Sequence, residues 1–182
     1  MEKLIFRFNN KKRQNNFNSE NILGGKGANL AQMAKLGLPV PPGFTISTKV
    51  CEFFFKNNKK IPKKIFQQTK KEIGVIEKIS KKEFGSLSNP LLVSVRSGSR
   101  VSMPGMMDTI LNLGLNDKTV VALKNKTSNG RFAKDSYRRF IQMYGTVVLR
   151  VEQHFFEELI ENYKLTKGVI QDTELEEDDW DG

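Results

Sequence analysis

Two short stretches carry the residue types that handle an anion. Residues 90–117, PLLVSVRSGSRVSMPGMMDTILNLGLND, run from an apolar strand pattern (Leu91, Leu92, Val93, Val95) into Arg96, Ser97, Gly98, Ser99 and Arg100. A cationic strand end that opens into a glycine loop suits phosphate. Glycines at 98 and 105 let backbone amides converge on phosphate oxygens, and a guanidinium at Arg96 or Arg100 offers a planar fork of donors. The same residues also fit an ordinary strand and turn whose arginines face solvent. The second stretch, residues 21–44, is NILGGKGANLAQMAKLGLPVPPGF. Gly24, Gly25 and Gly27 flank Lys26 just before a helical pattern, so the ammonium lies at a helix entrance, where free amides and cationic charge attract phosphate. A helix entrance packed close to another backbone explains the glycines equally well. The spacing is not that of a P-loop, because Lys26 is followed by Gly27 and Ala28 rather than by Ser or Thr.

The elements that must position these residues follow from local patterns. An edge strand is expected near Leu4 to Phe8. The helix after Lys26 should bury Leu30, Met33 and Ala34. Pro39, Pro41 and Pro42 exclude a regular helix and favour a rigid entry into a strand around Phe44 to Ile46. Helical patterns fit 49–56 and 62–79. Asp117 can cap a helix running through Ala122, and residues 131–144 give another with Phe132, Ser136, Phe140 and Tyr144 on one line. The mixture points to an α/β or α+β fold with a mixed sheet and flanking helices. At 182 residues the chain can bury a real core as one domain, divided at most into two lobes.

Together the two stretches, with RFAKDSYRRFIQMYG at residues 131–145, closely resemble the amino-terminal nucleotide-binding region of the pyruvate, phosphate dikinase family. The resemblance runs from about Leu23 to Leu175. It implies part of an ATP-grasp domain over residues 1–175, with 176–182 as an acidic, truncated tail. It implies phosphate contacts at Lys26 and Arg96, Arg100 and Met107 as accessory contacts, and residues 103–109 bordering the nucleotide cleft. Gly24, Gly25, Gly27, Gly98 and Gly105 would form the glycine loops. In that family ATP and magnesium act in the complete enzyme, which interconverts ATP, phosphate and pyruvate with AMP, pyrophosphate and phosphoenolpyruvate through a phosphohistidine and is a homodimer. The metal ligands and phosphohistidine are expected outside this sequence, on a remainder that could be a separate chain. The alternative reading is a noncatalytic folded fragment or interaction module without phosphotransfer activity of its own.

Composition narrows the remaining classes. No stretch approaches the length of an apolar membrane span or a signal-peptide core, which leads to the expectation of a cytoplasmic protein with no membrane partner. Cys51 is the sole cysteine, excluding an internal disulfide or a cysteine-rich zinc cluster. His154, the sole histidine, falls in a helical pattern that matches no phosphohistidine motif, so it reads as structural or solvent-facing. The net charge of +10 is uneven. Eleven lysines lie between Lys49 and Lys82, whereas seven acidic residues and no basic one occupy 172–181. Because the lysines alternate with Ile65, Phe66, Ile73, Ile76 and Ile79, they read as the wet face of an amphipathic helix, and a nucleic-acid partner is not expected.

Overall fold

The computed structural model describes residues 3–8, 20–98 and 109–180. The chain divides into two units, one of Met1–Lys81 with Ser97–Met107 and the other of Lys82–Arg96 with Asp108–Gly182.

In the first unit the expected edge strand forms as β1 (Ile5–Arg7) and pairs antiparallel with β2 (Phe44–Ile46), placing Ile5 opposite Ile46 and Phe6 opposite Thr45. The proline-rich approach leaves residues 39–43 without helix or strand, as the fixed φ of proline dictates. Helix α1 (Glu20–Lys35) is interrupted at Gly24. Its buried face is Leu23, Gly27, Ala28 and Ala31, and Leu23, Ala28 and Ala31 join Phe6 in a core cluster. The sequence expectation for this face needs correcting: Met33 is 41% exposed and Leu30 only half-buried. The close approach of α1 to β2 selects small residues for its inner side and turns the larger ones outward. Ser47 caps α2 (Thr48–Lys56), accepting from the Lys49 amide, and Thr48 donates to the Asn21 carbonyl at 2.5 Å. Helix α3 (Lys63–Ser80) is joined to β1 by the Arg7–Glu72 ion pair.

The second unit is built on β3 (Val93–Arg96) and β4 (Thr109–Leu113), again antiparallel. Val93 faces Leu113 but Val95 faces Ile110, so two β4 residues oppose Ser94 in a bulge, with Asn112 taking a left-handed φ of 57°. Gly114 follows at φ 119°, and a Cβ there would stand 2.7 Å from the Leu91 carbonyl oxygen; this turn admits no side chain.

Helix α4 (Thr119–Thr127) starts on the Asn116 carboxamide, which accepts from the amides of Lys118 and Thr119 at 2.9 and 3.0 Å. The neighbouring Asp117, expected to be the cap, instead accepts from the Tyr137 hydroxyl at 2.8 Å. Burial first, and then that bond, pushes the Tyr137 phenol up to about 12. Leu115, Val120, Leu123 and Ala133 form the core of this unit, flanked by Leu92, Tyr137 and Phe140. Asn129 caps α5 (Gly130–Val147). Of the line expected on α5, Ser136 is buried and Phe140 packs on the core, whereas Phe132 and Tyr144 are exposed. Helix α6 (Gln153–Lys167) meets α5 where the Phe156 ring presses on Gly145.

The fold class is therefore a mixed α/β arrangement, with two small antiparallel sheets among the described residues rather than one mixed sheet.

The acidic segment that follows α6 is well anchored. Leu175 is 1% exposed, and Arg131 donates to the carbonyls of Leu175 and Asp172 at 2.6 and 2.8 Å. Asp172 and Asp179 pair with Lys164 and Lys167 at 3.2 and 2.7 Å, Glu177 pairs with Lys124, and the Arg138 guanidinium lies 4.7 Å from the centre of the Trp180 ring. Lys167, followed by the Glu176 amide, holds the Asp179 carboxyl below its ordinary range; the Gln171 and Ile170 amides do the same for Glu174.

Two predictions follow from this anchoring. Truncating Leu175 to alanine removes a fully buried side chain and should cost about 2–5 kcal/mol in urea unfolding; a loss below about 1 kcal/mol would show that the segment contributes little to the unit. Depressed carboxylates stabilise the fold above their unfolded pKa of about 4 and lose that contribution as pH falls through the lower folded values. The raised Lys164 and Lys167 contribute below about pH 10 and lose their contribution only above it. Fluorescence of Trp180, the one tryptophan, should accordingly stay constant from about pH 5 to 9 and change below about pH 4. A transition centred near neutral pH would contradict this assignment.

Candidate functional site

The glycine–lysine stretch is built around one backbone anomaly. At Gly24 φ is 69° and ψ is 164°, a combination open essentially only to glycine. It divides α1 into a short first segment and a longer second one, so the second has its own start at Gly25, Lys26 and Gly27. A helix start presents amide donors that its own ladder does not use, together with the positive end of the helix dipole. Lys26 is half-buried there. The expected helix entrance is thus found inside a longer helical stretch that already begins at Glu20.

The three glycines of the stretch have different surroundings. A Cβ on Gly27 would stand 2.8 Å from Thr45 Oγ1 and 3.3 Å from the Leu23 Cβ, so its bareness is set by the packing of α1 on β2. Gly24 is set by its dihedrals. Among the described residues a Cβ on Gly25 would meet nothing within 4 Å, so neither a described neighbour nor a positive φ demands glycine at that position.

The second stretch reaches the first at one point. Gly98 belongs to the first unit, and a Cβ on it would lie 3.8 Å from the Leu23 carbonyl oxygen and 4.0 Å from the Gly24 Cα. Two glycine segments that are distant in sequence therefore meet at the kink of α1. Arg96 is the exposed last residue of β3, paired in the ladder with Thr109, and belongs to the second unit. Arg100, Gly105 and Met107 lie outside the described residues.

The other chemically capable side chains lie on α2 and α6. Cys51 is exposed on α2. His154 is exposed on α6, with Nδ1 3.2 Å from the Glu152 carboxylate and its ring against Phe155. Among the described residues no three His, Cys, Asp or Glu side chains are grouped to hold a metal ion, and no helix is long and apolar enough to cross a membrane. The kink at Gly24 and its meeting with Gly98 were missed by sequence reasoning. Their only signal was the pair of adjacent glycines, which does not specify a dihedral.

Comparison with known proteins accords with the motifs. The family described as "Pyruvate phosphate dikinase, AMP/ATP-binding domain" matches residues 20–84. The chain is 55% identical to pyruvate, phosphate dikinase of Entamoeba histolytica (strain ATCC 30459 / HM-1:IMSS / ABRM), over 88% of this chain and 18% of the relative. It is 50% identical to that of Clostridium symbiosum, over 98% of this chain and 20% of the relative. Against that of Rhizobium meliloti (strain 1021) it is 49% identical, over 99% of this chain and 20% of the relative. The chain spans about a fifth of the length of these relatives. With the glycine stretches falling inside this similarity, the chain belongs to the pyruvate, phosphate dikinase family and corresponds to its amino-terminal AMP/ATP-binding domain.

Proposed function

We propose that this chain supplies the phosphate-binding wall of an ATP site of the ATP-grasp type, serving a dikinase that converts ATP, phosphate and pyruvate to AMP, pyrophosphate and phosphoenolpyruvate. The observation that carries the reading is the junction of Gly24 and Gly98. A glycine-only kink starts a new helix at Lys26, a second glycine segment lies against it, and the space beside Gly25 is open. The nucleotide's phosphates fit that arrangement. Unpaired amides at the helix start donate to phosphate oxygens, and the Lys26 ammonium neutralises their charge. Arg96 is assigned a second phosphate contact and Arg100 an electrostatic role, with Met107 an apolar contact near the nucleotide; Gly105 extends the second glycine loop. Their contribution is electrostatic stabilisation of charge on a phosphoryl group in transfer, with no covalent step on these residues.

Among the described residues no three His, Cys, Asp or Glu side chains are grouped to hold magnesium without the nucleotide's phosphates. Its ligands, like the phosphohistidine, are assigned to the rest of the dikinase, whether on the same polypeptide or a separate one. Residues 1–175 are assigned to the ATP-grasp part and 176–182 to an acidic lead out of it. The whole enzyme is proposed to be a cytoplasmic homodimer with neither a membrane nor a nucleic-acid partner. By itself the 182-residue chain is proposed to be a folded piece without dikinase turnover, its one histidine, His154, falling in no phosphohistidine motif.

Substitution at the three glycines separates binding from folding. Gly25→Ala places a methyl in open space, so the melting temperature should hold or rise slightly, while ATP binding by calorimetry weakens about tenfold as the methyl obstructs the phosphates. Gly27→Ala and Gly24→Ala should lower stability itself, the second by about 1–3 kcal/mol. Unaltered ATP affinity in a well-folded Gly25→Ala protein would place the phosphates elsewhere. In the complete dikinase, Lys26→Ala and Arg96→Ala should each reduce ATP affinity or phosphoenolpyruvate formation by about ten- to a hundredfold, the worth of one charge-assisted contact. Unchanged activity in both variants removes those assignments, and robust phosphoenolpyruvate formation by the purified 182-residue chain would refute the partial-site reading.

A further inference from the structure

The corner between α2 and α3 combines strain, exposed apolar surface and concentrated positive charge. Helix α2 ends with the Asn57 amide and side chain both donating to the Phe53 carbonyl, the side-chain bond at 2.8 Å. The chain then turns through Asn58 and Lys59 at φ values of 52° and 57°. Consecutive left-handed residues, neither of them glycine, cost conformational energy. The turn brings Ile61 and Pro62 beside Phe53, enclosing an open groove of about 410 Å³ whose rim includes Lys56 and Lys60. Phe53 is 46% and Ile61 59% exposed, and Phe55 and Phe66 nearby are also exposed. Seven lysines and no acidic residue occur from Lys56 to Lys71, and Glu72, the first acid beyond them, is held by Arg7.

We propose that this groove docks an acidic polypeptide segment carrying one aromatic or branched apolar side chain. Charge complementarity requires a polyanionic partner, since a lysine field without interspersed acids repels itself and attracts opposite charge. The shallow groove mixes Phe53, Ile61 and Pro62 with Lys56, Lys60, Asn57 and Asn58, so an acidic segment can lay one apolar side chain on the first three while its carboxylates meet the lysines. In the chain's own acidic segment Asp172, Glu177 and Asp179 are already engaged by Lys164, Lys124 and Lys167. This reading is independent of the nucleotide site.

The test uses the 182-residue chain and a fluorescein-labelled peptide in which glutamates flank a single phenylalanine, followed by anisotropy at low salt. Binding should weaken about tenfold when the peptide's phenylalanine becomes alanine, and by a similar factor in the Phe53→Ala protein. The double variant Lys56→Glu/Lys60→Glu alters two exposed side chains, so it should melt as the parent does while losing tenfold or more in affinity. Absence of peptide binding overturns the proposal. So does binding indifferent to both protein variants, or preferential capture of phosphatidylserine vesicles or a single-stranded oligonucleotide that the peptide fails to displace.

Discussion

The backbone at Gly24 is the constraint on which the first unit depends. With φ 69° and ψ 164°, the chain leaves helical geometry for one residue and resumes it, and a side chain at that point would forbid the detour. The short segment before the kink delivers Leu23 into the cluster with Phe6 and offers the Asn21 carbonyl to Thr48, fixing the start of α2. The segment after it makes a new helix start at Gly25 and Lys26 and lays Gly27 against Thr45. A continuous helix through this stretch would keep the core contact or the free helix start, but not both, because the amides of Gly25 to Gly27 would be consumed by the ladder.

Much of this local order was legible in the sequence. The proline run set the entry to β2, alternation located β1, and the apolar spacing of α2 and α3 placed both helices to within a residue or so of their observed ends. What sequence pattern missed depended on neighbours distant along the chain. The inner face of α1 is chosen by the nearness of β2, which admits Ala28 and Ala31 and rejects Met33. The cap of α4 passes to Asn116 because Tyr137 engages the carboxylate of Asp117. The division into two units was hidden as well. The chain changes unit between Arg96 and Ser97 and again between Met107 and Asp108, and the polar run RSGSR at the first place reads as a phosphate loop rather than as a linker. Of the nucleotide site, residue types and helix entrance could be read, but the approach of Gly98 to Gly24 is a tertiary fact.

Charge is segregated along the chain in two different physical states. In the second unit the acidic residues after α6 meet basic side chains from α4, α5 and α6, and backbone carbonyls absorb the remaining donors of Arg131. Exposed pairs of this kind contribute little singly. Here they surround Leu175, whose burial supplies the driving force, so the ion pairs set where the segment lies more than how firmly it holds. From Lys56 to Lys71 in the first unit, lysines crowd without interspersed acids beside exposed apolar side chains. The same amphipathic spacing that suggested a solvated face therefore describes only part of that surface: Ile65 and Ile76 are buried as expected, while Phe66 and Ile79 stay more than half exposed.

The motif reading of Gly24, Gly25, Lys26 and Gly27 as one phosphate signature conceals three separate causes. Gly24 is required by its dihedrals and Gly27 by the Thr45 side chain; both would be needed in a protein that bound nothing. Gly25 has no such reason, because space beside it is open and alanine would favour the helix by up to about 1 kcal/mol. In the proposed site, a ligand approaching the backbone from outside would take the place beside Gly25, next to Lys26. A phosphate group, small and satisfied by amide donors, has the size and chemistry for that approach. Under the proposed function, the phosphate contact falls on the glycine that no described neighbour requires.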